Sequence, residues 1–276
     1  MDLNTITEVV RPRERHALPR RLAGDAWLSG GTWLFSEPQP HLTRLIDLTS
    51  LNWTAAEVRD DGLSLGATCT IAQLDRLTLP AAWIAAPLIG QCCRAFVASF
   101  KVWNTATVGG NICMALPAGP MIALAGALGG VGIVWPADGG TRQIPIAELV
   151  TGWRRTQLEP GDVLRSIEFP AAALMRRTAF RQMSLTPLGR SAALLIGTCA
   201  PRTRDLELTI TGSTARPVRL AFPGIPDAAE LKRAISGAVP DSLYFDDVHG
   251  APEWRKHLTF DLAESIRREL AGEAVA

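Results

Sequence analysis

The sequence predicts an α+β fold, and three observations carry that expectation. Short strand-like pieces alternate with glycine-bearing loops through the first third of the chain. Near residues 170–176 the texture changes, and β-rich runs follow at 180–183, 194–198 and 206–211. The chain then reaches an amphipathic helix over 254–271, where Leu258, Leu262, Ile266 and Leu270 recur every four residues.

Taken in order, residues 26–29 read as a strand running into Gly30-Gly31, and 44–48 as a second apolar piece. Asp60-Asp61-Gly62 is a hairpin turn before a strand over 63–67. Thr70 caps a helix from Ile71 to about Leu77, and a longer helix is expected over 81–98. Residues 101–120 read as a loop, followed by a helix near 121–128 and a strand over 131–135. Asp138-Gly139-Gly140 turns the chain back along 142–145, and 146–149 begins a helical turn. A strand over 163–169 is closed by Pro170, and Asp227 opens a helix reaching Ala238.

Composition narrows the class. With 276 residues, 47% hydrophobic and 20% charged, the chain is an ordinary globular one, long enough for one large domain or two to three small ones. A formal net charge of +1 gives no electrostatic footprint for nucleic acid. Arg11, Arg13, Arg15, Arg20 and Arg21 form the densest basic run, read as a solvated connector or a docking surface. Cys69, Cys92, Cys93, Cys113 and Cys199 lack zinc or cluster spacing and read as buried free thiols; the four histidines are scattered, so no metal site is expected. Residues 1–10 carry Asp2 and Glu8 and no apolar core of a signal peptide, which points to the cytoplasm. The charge-free stretch 102–137 is broken by Asn104, Asn111, Pro117 and Pro120, so it is no membrane span; a buried loop against an anionic ligand is expected.

Two segments share an unusual chemistry. In Leu28-Ser29-Gly30-Gly31-Thr32 and in Thr105-Ala106-Thr107-Val108-Gly109-Gly110-Asn111, paired glycines stand beside hydroxyl residues. Glycine lets the backbone approach a ligand closely, exposed N–H groups make an anion nest, and Thr32, Thr107 and Asn111 add side-chain donors. Neither segment holds a lysine or fits a dinucleotide or P-loop fingerprint; taken singly, each reads more readily as a tight turn.

At these residues the chain resembles a family: the FAD-binding, medium subunits of xanthine dehydrogenase, carbon monoxide dehydrogenase and related molybdenum hydroxylases. Leu28-Ser29-Gly30-Gly31-Thr32-Trp33-Leu34 resembles the family's A-G-G-T-D-L loop, and the stretch from Trp103 to Cys113 its R-N-x-A-T-x-G-G-N-I-x segment. Gly152-Trp153-Arg154-Arg155-Thr156 through Ile167 is similar to G-Y-R-x-T-x-L-x-x-x-E-x-L-x-x-I. Ala215-Arg216-Pro217-Val218-Arg219 resembles A-x-x-P-x-R, and Asp246-Asp247-Val248-His249-Gly250 with Trp254-Arg255 resembles D-D-x-x-G-x-x-x-Y-R. The likeness runs in order over nearly the whole chain.

The resemblance implies an FAD-binding domain over 1–172, made of two α/β subdomains of the vanillyl-alcohol-oxidase-like type (about 1–55 and 56–170), and a C-terminal α+β domain over 173–276 of the carbon monoxide dehydrogenase flavoprotein type. It implies that Leu28, Ser29, Gly30, Gly31, Thr32, Trp33 and Leu34 wrap the FAD pyrophosphate, and that Thr107, Gly109, Gly110 and Asn111 complete the cradle. Ala98, Val102, Ala106 and Cys113 match lining positions; Val163 and Leu164 match a strand near the adenine or the ring system; Arg181 keeps a basic residue near the flavin. No residue is expected to be catalytic in its own right. Electrons would pass from iron–sulfur clusters through FAD to an external acceptor. The implied partners are a small two-cluster [2Fe–2S] subunit and a large molybdopterin subunit, in a complex that dimerises as a pair of heterotrimers. The chain departs from the family at Trp33, where an acid or small polar residue is usual, at Gly119-Pro120 in place of Ser-Asp, and over 184–190. These departures keep open a scaffold subunit with altered or lost flavin reactivity; a stand-alone flavin oxidoreductase is a third reading, for which the chain offers no candidate substrate base or long lid.

Overall fold

A computed structural model describes residues 3–273. Strands β1 (Glu8–Val10), β2 (Asp25–Leu28) and β3 (Arg44–Asp47) form a small parallel sheet in the order β1-β3-β2. Asp25 and Arg44 are register partners and meet side by side, Nε to Oδ1 at 2.9 Å and Nη2 to Oδ2 at 2.6 Å. That guanidinium holds the buried Asp25 carboxyl below the usual carboxylate range, against the opposing effect of burial.

Strands β4 (Ala56–Arg59) and β5 (Gly62–Gly66) then make the expected hairpin. Helix α1 (Ile71–Asp75) opens on a capping box: the Gln73 N–H donates to the Thr70 hydroxyl, and the Thr70 N–H donates to the Gln73 side chain. The helix expected over 81–98 is shorter, α2 (Ala86–Arg94). Pro87 fits only the first turn, and Val97 turns left-handed at φ 43°, which ends the run.

The expected loop over 101–120 is instead largely helical, comprising α3 (Phe100–Trp103) and α4 (Val108–Met114). Next comes α5 (Pro120–Ala127), in which every residue is buried. It packs on α2 and α4 and on strands from the C-terminal third. Part of the charge-free stretch is therefore a core helix surrounded on all sides, which leaves no face for a charge.

Strands β6 (Val131–Trp135) and β7 (Arg142–Pro145), helix α6 (Ile146–Leu149), the small hairpin β8 (Val150–Gly152) and β9 (Arg155–Thr156), and strand β10 (Val163–Pro170) follow. The main sheet has the antiparallel order β4-β5-β10-β6-β7. A bulge between Leu164 and Ser166 interrupts β10, and the Arg165 guanidinium lies over Trp53 and Trp135, 4.6 and 5.7 Å from the ring centres.

After α7 (Ala171–Leu174), strands β11 (Arg177–Met183), β12 (Ala193–Cys199), β13 (Leu206–Thr211) and β14 (Val218–Phe222) form an antiparallel sheet in chain order, with α8 (Ala228–Ala238) and α9 (Pro252–Ala271) beside it. Strand β12 is buried throughout because α5 covers one face and α9 the other. Its side chains alternate accordingly: Leu194 and Ile196 join the main core, Ala193 and Leu195 the C-terminal one. Helix α9 approaches so closely that a Cβ on Gly197 would lie 2.3 Å from Ile266 Cγ2.

The C-terminal D-D-x-x-G-x-x-x-Y-R-like motif is an architectural lock. Arg255 is 1% exposed and donates to Gly250 O at 2.8 Å and to Ala192 O at 2.7 Å, while also binding Gly212 O and Asp247. Among the described residues, no helix is long and apolar enough to cross a membrane.

Candidate functional site

The two glycine segments, 75 or so residues apart in sequence, touch along a seam. Strand β2 runs straight into Ser29-Gly30-Gly31. A Cβ on Gly30 would lie 2.0 Å from Thr105 O and 3.1 Å from Ala106 Cα, so backbone rests directly on backbone there. The Ser29 and Thr107 hydroxyls are hydrogen-bonded at 2.9 Å across the same seam. Gly31 has a left-handed φ of 70°, and a side chain there would also meet Leu28 and Phe35.

The segments use their N–H groups differently. From Gly31 the chain makes a single tight coil, with Phe35 N–H donating to Gly31 O and Ser36 N–H to Trp33 O. The N–H groups at its start, of Gly30, Gly31, Thr32, Trp33 and Leu34, find no protein acceptor among the described residues. The second segment is the start of α4, and there the donors are taken. Val108 N–H donates to Cys69 O, Gly109 N–H to Ala67 O, Gly110 N–H to Thr107 Oγ1 and Asn111 N–H to Thr107 O. Thr107 is the helix cap, buried at 3% exposure. The sequence-based expectation that both segments offer free N–H groups is therefore corrected: only the first does.

The glycines of α4 also divide their work. Gly109 lies against Ala67, where an added Cβ would be 2.5 Å from the Ala67 Cβ. Gly110 has only Thr107 Oγ1 within 4 Å of an added Cβ, and is otherwise open. Asn111 Oδ1 accepts the Met121 N–H at 3.0 Å, capping α5 from outside because Gly119 supplies no cap of its own. Its amide N–H₂ is what remains for a ligand.

The indole N–H groups of Trp27, Trp33 and Trp103 are buried without a protein partner, an uncommon state for such donors. Trp27 also lines a cleft of about 840 Å³ with Arg15, His16, Arg20, Arg21, Trp135 and Val163. Arg15 lies over the Trp135 ring at 4.7 Å and donates to Gly140 O, so the basic run that reads as a solvated connector forms one wall of a cleft.

Of the residues expected at a site, Gly30 meets Ala106 and Ser29 meets Thr107 along the seam, while Gly109 packs on Ala67 and Gly110 and Asn111 follow in the first turn of α4. Leu28 and Leu34 partly pack into the small core of the first sheet. Val102 packs against the main core, and Ala98 stands partly exposed before Phe100. Cys113 is water-accessible, unlike the other four cysteines, yet its thiol is crowded enough that desolvation pushes it up to about 12. Val163 faces the cleft, whereas Leu164 points into the main core. Arg181 turns away from the seam, bonding Ser265 Oγ at 3.0 Å and Glu269 at 2.6 Å on α9. Its position in an alternating strand fixes that direction, since Phe180 and Gln182 face the opposite side.

Known proteins resemble the chain as follows. The sequence model of one family, described as the FAD binding domain in molybdopterin dehydrogenase, matches residues 8–172. Xanthine dehydrogenase of Oryza sativa subsp. japonica is 28% identical over 120 residues, 41% of this chain and 9% of that protein. Xanthine dehydrogenase 2 of Arabidopsis thaliana is 26% identical over 137 residues, 48% of this chain and 10% of that protein. The chain thus matches only about a tenth of the length of these relatives. Among solved structures, quinoline 2-oxidoreductase from Pseudomonas putida 86 superimposes with a TM-score of 0.79 at 18% identity, covering 99% of both chains. Carbon monoxide dehydrogenase from Hydrogenophaga pseudoflava gives 0.81 at 18% identity, covering 98% of this chain and 99% of that one.

Proposed function

The chain belongs to the family of FAD-binding domains in molybdopterin dehydrogenases, and from this we propose that it holds one FAD, non-covalently, along the seam between its glycine segments and serves as the flavin-bearing electron-transfer subunit of a molybdenum hydroxylase. The observation that carries the reading is the run of free N–H groups from Gly30 to Leu34, held where Ser29 and Gly30 touch Thr105, Ala106 and Thr107, the residues leading into α4. A diphosphate needs such a run of donors, and here they are fixed before the ligand arrives.

The residues present fit the cofactor. The partnerless indole N–H groups of Trp27, Trp33 and Trp103 are donors that a heteroaromatic ligand would satisfy. The cleft beside Trp27 and Val163 suits the adenosine end, with Arg20 and Arg21 on its rim. Bound FAD would supply one- and two-electron chemistry, and the protein supplies binding, orientation and exclusion of water. We place the FAD-binding domain at 1–172 and a second domain at 173–276. A small two-cluster [2Fe–2S] subunit would deliver electrons from a molybdopterin subunit, in a cytoplasmic pair of heterotrimers, and the chain alone would oxidise no organic substrate. The scaffold alternative draws on two observations: Arg181 is tied to α9, and Gly119-Pro120 offers no carboxylate.

Acid extraction of the purified chain should release about one FAD, and the intact protein should be yellow. Gly110→Val should lose that flavin and also lower the melting temperature, because its Cβ would lie 2.8 Å from Thr107 Oγ1, the cap of α4, while the rest of the side chain enters the space where the ligand would lie. A colourless wild-type protein, or a yellow Gly110→Val variant, would refute the placement.

A further inference from the structure

Each glycine segment presents dipoles only. Neither 28–34 nor 105–113 contains a lysine or arginine. A dinucleotide diphosphate carries two full negative charges, and backbone N–H groups bring fractional ones. Several arginines near the first sheet are committed elsewhere. Arg44 is bound to Asp25, Arg21 donates to Asp25 O, Arg15 is held over Trp135, and Arg165 lies over Trp53 and Trp135.

Arg154 is placed differently. It stands at the tip of the hairpin between β8 and β9, and its guanidinium lies 5.7 Å from the centre of the Trp33 ring, on the first glycine segment. Its side chain is exposed, and it has no carboxylate partner among the described residues. Three contacts fix the tip. The Arg154 N–H donates to Ala115 O at 2.9 Å, the residue that ends α4; Trp153 rests on Phe245 with ring centres 6.0 Å apart; and Trp33 lies under the guanidinium. The Arg154 backbone is left-handed, with φ 54°, a conformation that glycine or asparagine adopts more readily than arginine. Stacking on an indole occupies the flat face of a guanidinium and leaves its in-plane N–H donors free, the edge geometry that grips a phosphate.

We infer that Arg154 is the cation of the cofactor site: it rests on Trp33 and delivers its in-plane N–H groups to the diphosphate of the bound dinucleotide. The inference rests on the FAD reading above, and Arg154 acts there as a binding residue. Trp33 gains a role in the same stroke, as the shelf that holds the guanidinium over the free N–H groups of its own segment.

The test compares flavin-stripped full-length wild type with Arg154→Asn and Arg154→Lys. Asparagine removes the charge and suits the left-handed backbone, so the variant should fold with an unchanged melting temperature. FAD is titrated by flavin fluorescence at low and high salt, with riboflavin as the phosphate-free probe and ADP as the flavin-free one. Arg154→Asn should weaken FAD and ADP by roughly tenfold or more at low salt, as expected for losing a charged hydrogen-bonding partner. The gap should narrow at high salt, and riboflavin should bind both proteins alike. Arg154→Lys should recover part of the salt-dependent affinity, since it restores charge without the planar fork. Equal FAD affinity in wild type and Arg154→Asn would overturn the inference and leave the FAD reading standing. Equal weakening of riboflavin and FAD would also overturn it, by showing that the residue shapes the cleft. A wild-type protein that takes up no FAD would sink both.

Discussion

The two glycine segments look alike in sequence and do opposite work. From Gly30 to Leu34 the N–H groups are free and the segment is held by what surrounds it; from Val108 to Asn111 the N–H groups are spent on Cys69, Ala67 and Thr107. The first is the face offered to a ligand. The second is the anvil it is pressed on, contributing the open side of Gly110 and one amide. A paired glycine marks a place where backbone must come close to something, and the something differs: another backbone at Gly30, a neighbouring side chain at Gly109, open space at Gly110.

That contrast can be broken. Gly30→Ala should have the largest effect, because its Cβ would collide with Thr105 O at a backbone contact that cannot rotate away. Overpacking of this kind costs about 1–3 kcal/mol. The variant should show both a lower melting temperature and loss of flavin; retention of both would mean the seam is not where the segments meet. Thr107→Ala should be milder, removing a helix cap worth about 1 kcal/mol and lowering the melting temperature with a secondary loss of flavin affinity. Ser29→Ala removes only the other end of the same hydroxyl pair and should cost less, about 0.5 kcal/mol. If Ser29→Ala proved the more destabilising of the two, the assignment of support to α4 would be reversed.

The smallest effect concerns the strand under the first segment. Asp25 titrates below its unfolded value of about 3.9, so its contribution to stability is complete above that pH and is lost as the pH falls through the lower folded value. Trp27, two residues along β2, should report the loosening by fluorescence below about pH 4, and Asp25→Asn should flatten the acid limb of that curve. An unchanged limb would exclude this pair as the tether.

Much of this was legible in the sequence wherever a local signal exists. Thr70 with Gln73, Asp60-Asp61-Gly62 and the four-residue leucine spacing of α9 each name their own element. The glycine segments could be singled out but not told apart, since their difference lies in partners such as Ala67 and Cys69 that no spacing reveals. The run at 101–120 reads as a loop because glycine and asparagine disfavour helices, yet Thr107 caps one there. Strands β1 and β4 are short and largely exposed edge pieces without a clean apolar alternation, and β14 hides in a motif read for its Pro and Arg. Arg154 was legible as the arginine of the G-Y-R-like motif, where a solvated face was the readier reading than a phosphate ligand; its seat on Trp33 depends on the hairpin being bolted to the end of α4.

Helix α5 has a consequence for how the chain comes into being. Its cover comes partly from β12 and β13, which leave the ribosome long after Pro120–Ala127 has been made. During that interval a charge-free helix stands with one side bare, the kind of surface on which nascent chains aggregate and chaperones bind. A truncation near residue 172, where the family match ends, would make that interval permanent. The fragment would bear an apolar scar in place of its missing sheet, and should precipitate or stay chaperone-bound while the full chain remains soluble.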